Sequence, residues 1–244
     1  MSPPPGYVAY GGAGAYSPTQ PISGLTKWLR ILLIGSLAVS ALALVATLLL
    51  IGPAGDFDEG VIDLGQFEDK LGLFLLVAVL AVVVSIAQIV VLIIWTYRMA
   101  KNMQAMGRQG MSMSNPGATI AINILGGCTL GILNFLMWRE VWQGSDPDSP
   151  PGDPGWKRRP IGAIVNLWFG LTIGGAVLNI IAAGTRGFGG AQFGGNSEDV
   201  AEQFRDQLPI TLLGSVVTVA TAVVFILLVQ QLAARHMKAT GEAR

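Results

Sequence analysis

The sequence predicts an all-α integral membrane protein, with four transmembrane helices plus a cytoplasmic-side helical hairpin that is either re-entrant or interfacial. Three observations predict it. Of 244 residues, 52% are hydrophobic and only 12% are charged, against about 25% charged in a soluble domain. Four apolar runs, about 28–51, 71–96, 161–183 and 209–232, are each long enough, at ~1.5 Å per residue, for the ~30 Å hydrocarbon core. The charges are also sorted by loop. Formal net charge is zero, which gives no bulk attraction toward nucleic acid. One Cys and one His fall short of the ligand cluster a zinc site needs. No cofactor and no metal are expected.

Residues 1–24 are rich in Pro, Gly, Ala and Tyr and carry no charge. They read as a disordered cytoplasmic tail, because such a segment buries too little apolar surface to offset its ordering entropy. Pro4, Pro5 and Tyr7 form a PPxY-like string within it. The polytopic membrane domain is expected over 25–235. Its first span should stop at Gly52-Pro53, since proline cannot extend a helix. Residues 53–70 form an acidic loop whose Asp56 and Asp58 supply only a fragment of a calcium-loop pattern. The second span leads into a basic junction where Arg98, Lys101 and Asn102 share a face at i, i+3 and i+4, with Trp95 and Tyr97 at the interface belt.

Residues 116–142 are apolar but broken by Gly126-Gly127 and Gly131, and neither half is long enough to cross. Residues 143–159 are a Pro- and Gly-rich loop ending in Lys157, Arg158 and Arg159. In the third span Asn166, Gly170 and Gly174 make a small-residue stripe of the kind that brings helices close. The glycine-rich stretch after it gives way to an acidic segment, Ser197 to Gln207, that reads as a short helix capped by Ser197. Thr211, Ser215, Thr218 and Ala222 make a second stripe in the last span. Residues 236–244 are a basic cytoplasmic tail in which His236 reads as an interface residue.

Charge fixes the expected orientation. With both termini inside, the inner segments hold Lys27, Arg30, Arg98, Lys101, Arg108, Arg139, Lys157, Arg158, Arg159, Arg235, Lys238 and Arg244, which is 12 of 15 basic residues. The two outer loops hold 10 of the 15 acidic ones. This is the positive-inside pattern. A full crossing by residues 116–138 would erase it, so 116–142 should enter and leave on the cytoplasmic side.

The pattern W-x-x-R-x-x-x-N-x-x-x-x-G (Trp95, Arg98, Asn102, Gly107), followed by NFLMWREVWQGSDP, resembles the bacterial membrane family known as domain of unknown function 4328. The resemblance covers roughly residues 70–235. It implies a four-helix protein of the bacterial plasma membrane, often with a Pro-rich N-terminal tail, and it implies importance for Trp95, Arg98, Asn102, Asn134, Arg139 and Glu140. It implies no activity. The family's usual proline ahead of its NL segment is replaced here by Gly126-Gly127.

The candidate site is therefore Trp95, Arg98, Lys101, Asn102, Asn134, Trp138, Arg139, Glu140 and Trp142. One expectation is a structural clasp built on an Arg98–Glu140 bond, because an unpaired buried charge costs several kcal/mol. The other is a headgroup or ligand site, with Trp138, Trp142 and Trp156 at headgroup depth and Arg98, Lys101, Arg139 and Lys157–Arg159 facing anionic lipid. No catalytic set appears in the membrane runs, and Cys128 has no base beside it, so the chain is expected to be non-enzymatic. Its expected partners are the lipid bilayer, anionic lipid, and a membrane-protein partner or second copy. The alternative is a small-solute transporter or channel lined by Gln88, Asn123, Asn134, Asn166 and Asn179 at or around the broken hairpin.

Overall fold

A computed structural model describes residues 7–9, 16–185 and 197–242. Pro4 and Pro5, and the glycine-rich residues 186–196, lie outside them. Six α-helices carry the described fold: α1 (Ser23–Asp58), α2 (Leu64–Ala105), α3 (Pro116–Leu125), α4 (Ile132–Gly144), α5 (Ala163–Thr185) and α6 (Ser197–Thr240). Four of them, α1, α2, α5 and α6, are long and apolar enough to cross a membrane.

Three of these four outrun a bilayer. α1, α2 and α6 have 36, 42 and 44 residues, and about 20 suffice to cross. Proline does not end α1 as expected. The helix runs through Pro53, because a proline removes one backbone hydrogen bond and the flanking turns hold the rest. The actual stop is Gly60 at φ +72°, where the Gly60 N–H donates to the Phe57 carbonyl (3.0 Å) and the Val61 N–H to that of Asp56 (2.7 Å). This is a Schellman closure, which needs the left-handed conformation that glycine adopts without penalty. Gly107 closes α2 in the same way, with N–H bonds from Gly107 to Gln104 O (2.9 Å) and from Arg108 to Met103 O (3.0 Å). The acidic segment from Ser197 is not a separate short helix; α6 continues from it through Pro209.

The chain clusters into two compact units. One holds residues up to Leu33, Ala87–Thr172 and Val224 onward; the other holds Ile34–Ile86 and Ile173–Val223. The second unit is made of long-helix segments that turn large apolar side chains outward, such as Leu49, Leu76 and Val79, at 62%, 64% and 65% exposure. A surface of that kind is stable against lipid and not against water. Within it, Ser40, Thr47, Asn179, Ser215 and Thr218 border a cavity of about 290 Å³.

The first unit holds most of the core. Trp95, Met99 and Met103 form one face of α2 at helical spacing and are fully buried with Leu29, Trp138, Val141, Leu228 and Leu232. Trp95, Trp138, Trp142 and Trp156, expected at the interface, are core residues instead; the Trp138 indole meets Trp168 and Phe225 edge-on at 6.4 and 5.7 Å. Large rings fill the gap between helices whose other core side chains are thin.

α3 and α4 form a pair of short helices joined by a tight turn. Asn115 caps α3, its Oδ1 accepting from the Gly117 N–H at 3.1 Å, with Pro116 in the first turn. A short 3₁₀ turn, Gly126–Thr129, follows. The break runs from Gly126-Gly127, where α3 ends, to Gly131, as expected, and the chain reverses at Leu130 and Gly131, both left-handed at φ 52° and 79°. α4 then runs antiparallel to α5. Gly131 lies against Thr172, Phe135 stacks on Phe169 at 4.3 Å, Trp138 meets Trp168, and Gln143 Nε2 donates to the Arg159 carbonyl at 2.7 Å.

Among the described residues, nothing packs on the glycines of the small-residue stripe on α5. Gly170 and Gly174 have open space where a side chain would stand. Gly131 differs, since an added Cβ would sit 3.0 Å from the Thr172 methyl at a positive φ. Gly131→Ala is therefore expected to destabilise the protein by about 1–3 kcal/mol, and Gly174→Ala to change it by less than about 0.5 kcal/mol. Thermal unfolding of the two variants in detergent checks the difference.

Candidate functional site, a polar clasp between the chain termini

The expected Arg98–Glu140 bond does not form. The two residues sit in separate networks within the first unit. Arg98 faces the segment just before α1, and Glu140 faces the turn just before α3.

Trp95, Arg98 and Asn102 lie at i, i+3 and i+7 on α2, and all three reach residues 20–26. The Trp95 Nε1–H donates to Thr26 Oγ1 at 2.9 Å. Arg98 donates to the Pro21 carbonyl at 2.9 Å. Asn102 Oδ1 accepts from the Gln20 N–H at 2.6 Å, and its Nδ2 donates to the Gln20 carbonyl at 2.8 Å. A side-chain amide thus pairs with a backbone peptide as a neighbouring strand would. The expected disordered tail consequently joins the fold at Gln20, with Ile22 fully buried. Further out, Tyr7–Ala9 pairs antiparallel with Tyr16–Pro18. A chain without charges still carries backbone donors and acceptors, and these are what the clasp recognises.

His236 is not an interface residue. It is fully buried, its Nε2 3.1 Å from Asn102 Nδ2 and its Nδ1 2.8 Å from Ser145 Oγ. The bonds to Gln20 make Asn102 Nδ2 a donor, so His236 Nε2 must accept. The proton then sits on Nδ1 and is shared with Ser145, an assignment from the network. Ser145 and His236 do not resemble a nucleophile and base in use, because both are fully shielded from solvent. Of the expected tail 236–244, residues 236–242 are described and are not free: α6 runs to Thr240, and Glu242 accepts from the Ile22 N–H (3.0 Å) and the Ser23 N–H (2.9 Å). Burial pushes the Glu242 carboxyl up, but those bonds outweigh it and hold it below the usual carboxylate range. The carboxylate also faces the positive end of α1.

Glu140 is the second node. Its carboxylate receives five bonds, from the N–H and Oγ of Ser112 (3.2 and 2.6 Å), the N–H and Oγ of Ser114 (2.8 and 2.9 Å), and Lys157 Nζ (3.0 Å). Burial raises this carboxyl too, yet the serine and lysine bonds bring it below its ordinary 4.5.

Arg108 is the third node. It is 3% exposed and donates to the carbonyls of Gly144 (3.1 Å), Ser149 (2.9 Å) and Pro150 (2.8 Å). Asp146 beside it pairs with Arg235 at 2.9 Å, and Arg235 also lies over the Trp142 ring at 5.3 Å. Arg108, Ser112, Ser145 and His236 were not among the expected site residues. The signal for Arg108 was its place directly after the α2-closing glycine.

The remaining expected residues lie apart from these nodes. Lys101 is exposed and sits over Tyr97, its Nζ 5.9 Å from the ring centre. Arg139 is exposed. Asn134 packs on Gly126, and its Oδ1, like Asn123 Oδ1, Gln88 Oε1 and Trp138 Nε1, is buried without a hydrogen-bond partner. Among the described residues no group of His, Cys, Asp and Glu is arranged to hold a metal.

The family model described as Domain of unknown function (DUF4328) matches residues 62–234. The chain belongs to this family. No curated protein and no solved structure matches it. The DUF4328 region contains Trp95, Arg98, Asn102, Glu140 and Ser145. The segments they and their neighbours hold, residues 20–26, His236 and Glu242, lie outside it.

Because Arg98 and Glu140 serve different networks, their effects should be independent. Glu140→Gln is expected to cost about 1–3 kcal/mol and Arg98→Gln about 1 kcal/mol, adding in the double variant to within about 0.5 kcal/mol. A coupling well above that in a denaturation cycle would mean that they are partners. The Glu140 contribution is present above the ordinary carboxylate value of 4.5 and is lost as pH falls through its lower folded value. The gap between wild type and Glu140→Gln should therefore close on acidification.

Proposed function

We propose that this chain is a non-enzymatic, multi-pass protein of the bacterial plasma membrane that acts by assembly. Both termini are cytoplasmic, and residues 116–144 form a re-entrant hairpin entering from that side. The antiparallel register of α4 on α5 carries the hairpin reading, since an interfacial helix would cross the spans steeply instead of following one. α3 has 10 residues, about 15 Å, or half the hydrocarbon core. Around the hairpin tip, Ile124, Leu125, Leu130 and Ile132 are 62%, 58%, 45% and 48% exposed, which suits lipid and not water.

The common side of the termini is supported by their bonds. Residues 20–22, the loop after α4, His236 and Glu242 are joined by hydrogen bonds, and a bilayer cannot pass between hydrogen-bonded neighbours. Trp28, 62% exposed between Lys27 and Arg30, marks the headgroup level on α1. The clasp pins the N-terminal arm at Gln20–Ser23. Lys101, Arg139 and Arg158 are exposed. A membrane-protein partner, a second copy or anionic lipid would engage this face.

The polar-edged cavity of the second unit favours transport of a small solute as a second reading. Against it, Thr47, Thr218 and Asn179 donate to carbonyls of their own helices at 2.8–2.9 Å, so both threonine hydroxyl protons and one Asn179 N–H are already taken.

Cys128, exposed at the hairpin tip, separates these readings. A charged maleimide applied to either side of oriented vesicles should leave it unlabelled, with full reaction after detergent solubilisation. Labelling from the cytoplasmic side alone would make the hairpin interfacial. Labelling from both sides would mean water crosses the bundle, favouring transport, and labelling only from outside would overturn the orientation.

A further inference from the structure

Beside the Glu140 node lies a second cavity, of about 260 Å³, lined by Ser112, Met113, Leu136, Arg139, Glu140, Gln143 and Lys157. Its charges are unevenly matched. Glu140 is balanced by Lys157 at 3.0 Å and saturated by the serines. Arg139 is exposed, and no described residue gives it a hydrogen bond or an ion pair. Arg158, exposed as well, follows Lys157 in sequence. The cavity therefore offers a free guanidinium toward an anion, with Glu140 the acidic group facing it.

From the cavity toward the hairpin tip, the α4 face is graded. Ile132 (48% exposed), Leu136 and Arg139 fall at i, i+4 and i+7, one stripe that turns from apolar at the hairpin tip to basic at its base. Met113 adds an apolar side chain to the cavity wall. We infer that this cavity binds the phosphate group of an anionic lipid, with Arg139 holding the phosphate and the Leu136–Ile132 stripe lying along the start of an acyl chain. A guanidinium matches two phosphate oxygens at once. Inorganic phosphate shares the headgroup chemistry but would leave the apolar stripe empty, and that favours the lipid.

The inference rests on the re-entrant reading of the hairpin, which places Ile132 deeper in the bilayer than Arg139. The labelling of Cys128 decides that reading, and the following measurement decides this one. Native mass spectrometry of the full chain in a neutral detergent would count lipids bound during titration with phosphatidylglycerol, with phosphatidylcholine, and with phosphatidylglycerol in excess inorganic phosphate. The expected result is one phosphatidylglycerol held in preference to phosphatidylcholine and not displaced by phosphate. Arg139→Gln should weaken it about tenfold, the loss of one charge-assisted pair. Arg30→Gln, at an exposed arginine outside the cavity, should not. Arg139 is exposed, so its variant should melt with the wild type. Equal binding by Arg139→Gln, equal binding of phosphatidylcholine, or displacement by inorganic phosphate would each overturn the lipid site.

Discussion

An amide buried where water cannot reach must find protein partners for its donors and acceptor, or it destabilises the fold by the full cost of its desolvation. Asn102 finds them in two places far apart in sequence: the backbone of Gln20 and the ring of His236. Its oxygen accepts from the Gln20 N–H, and its nitrogen donates both to the carbonyl of the same residue and to the imidazole. The start of α1, the end of α2 and the end of α6 are therefore tied at one point. Ser145 extends the tie to the loop after α4 through the other ring nitrogen. Removing any one member strands a buried partner, so the network is cooperative.

Arg108 and Glu140 complete this unit by complementary means. Arg108 donates to carbonyls left over at the end of α4 and in the loop beyond it. Glu140 accepts from N–H and hydroxyl groups of the turn that leads into α3. Helix ends leave such groups unpaired, and a short hairpin has many ends for its length. Charged side chains are suited to the work because each can satisfy several groups at once. The polar residues around the hairpin are in this respect the consequence of a broken helix pair packed among continuous helices.

The four long helices were legible because length and apolarity are properties of a single segment. The face expected of Arg98, Lys101 and Asn102 was legible in part: helical periodicity brings Arg98 and Asn102 together, but Trp95 joins them and Lys101 turns to Tyr97 instead. What they touch was not. Periodicity carries no information about the element across the gap, so Arg98 was matched to Glu140 by charge alone, although its partner is an uncharged carbonyl. Residues 20–22 are held through backbone groups, which leave no side-chain pattern to read. His236 looked peripheral because it follows the last apolar run, yet α6 continues past it and brings it inward. The helix stops divided similarly. Gly107 stood in the motif and closes α2, whereas Pro53 was weighed as a terminator when its cost is one bond.

The DUF4328 region clasps the N-terminal arm through Asn102, and hydrogen exchange at the arm's own amides reports that clasp most directly. In the detergent-solubilised full chain, the Gln20 and Ile22 amides should exchange slowly. Asn102→Ala should bring Gln20 toward the rate of an unstructured peptide while the middle of α2 stays protected. Arm amides that already exchange freely in the wild-type protein, or that keep their protection without Asn102, would contradict it.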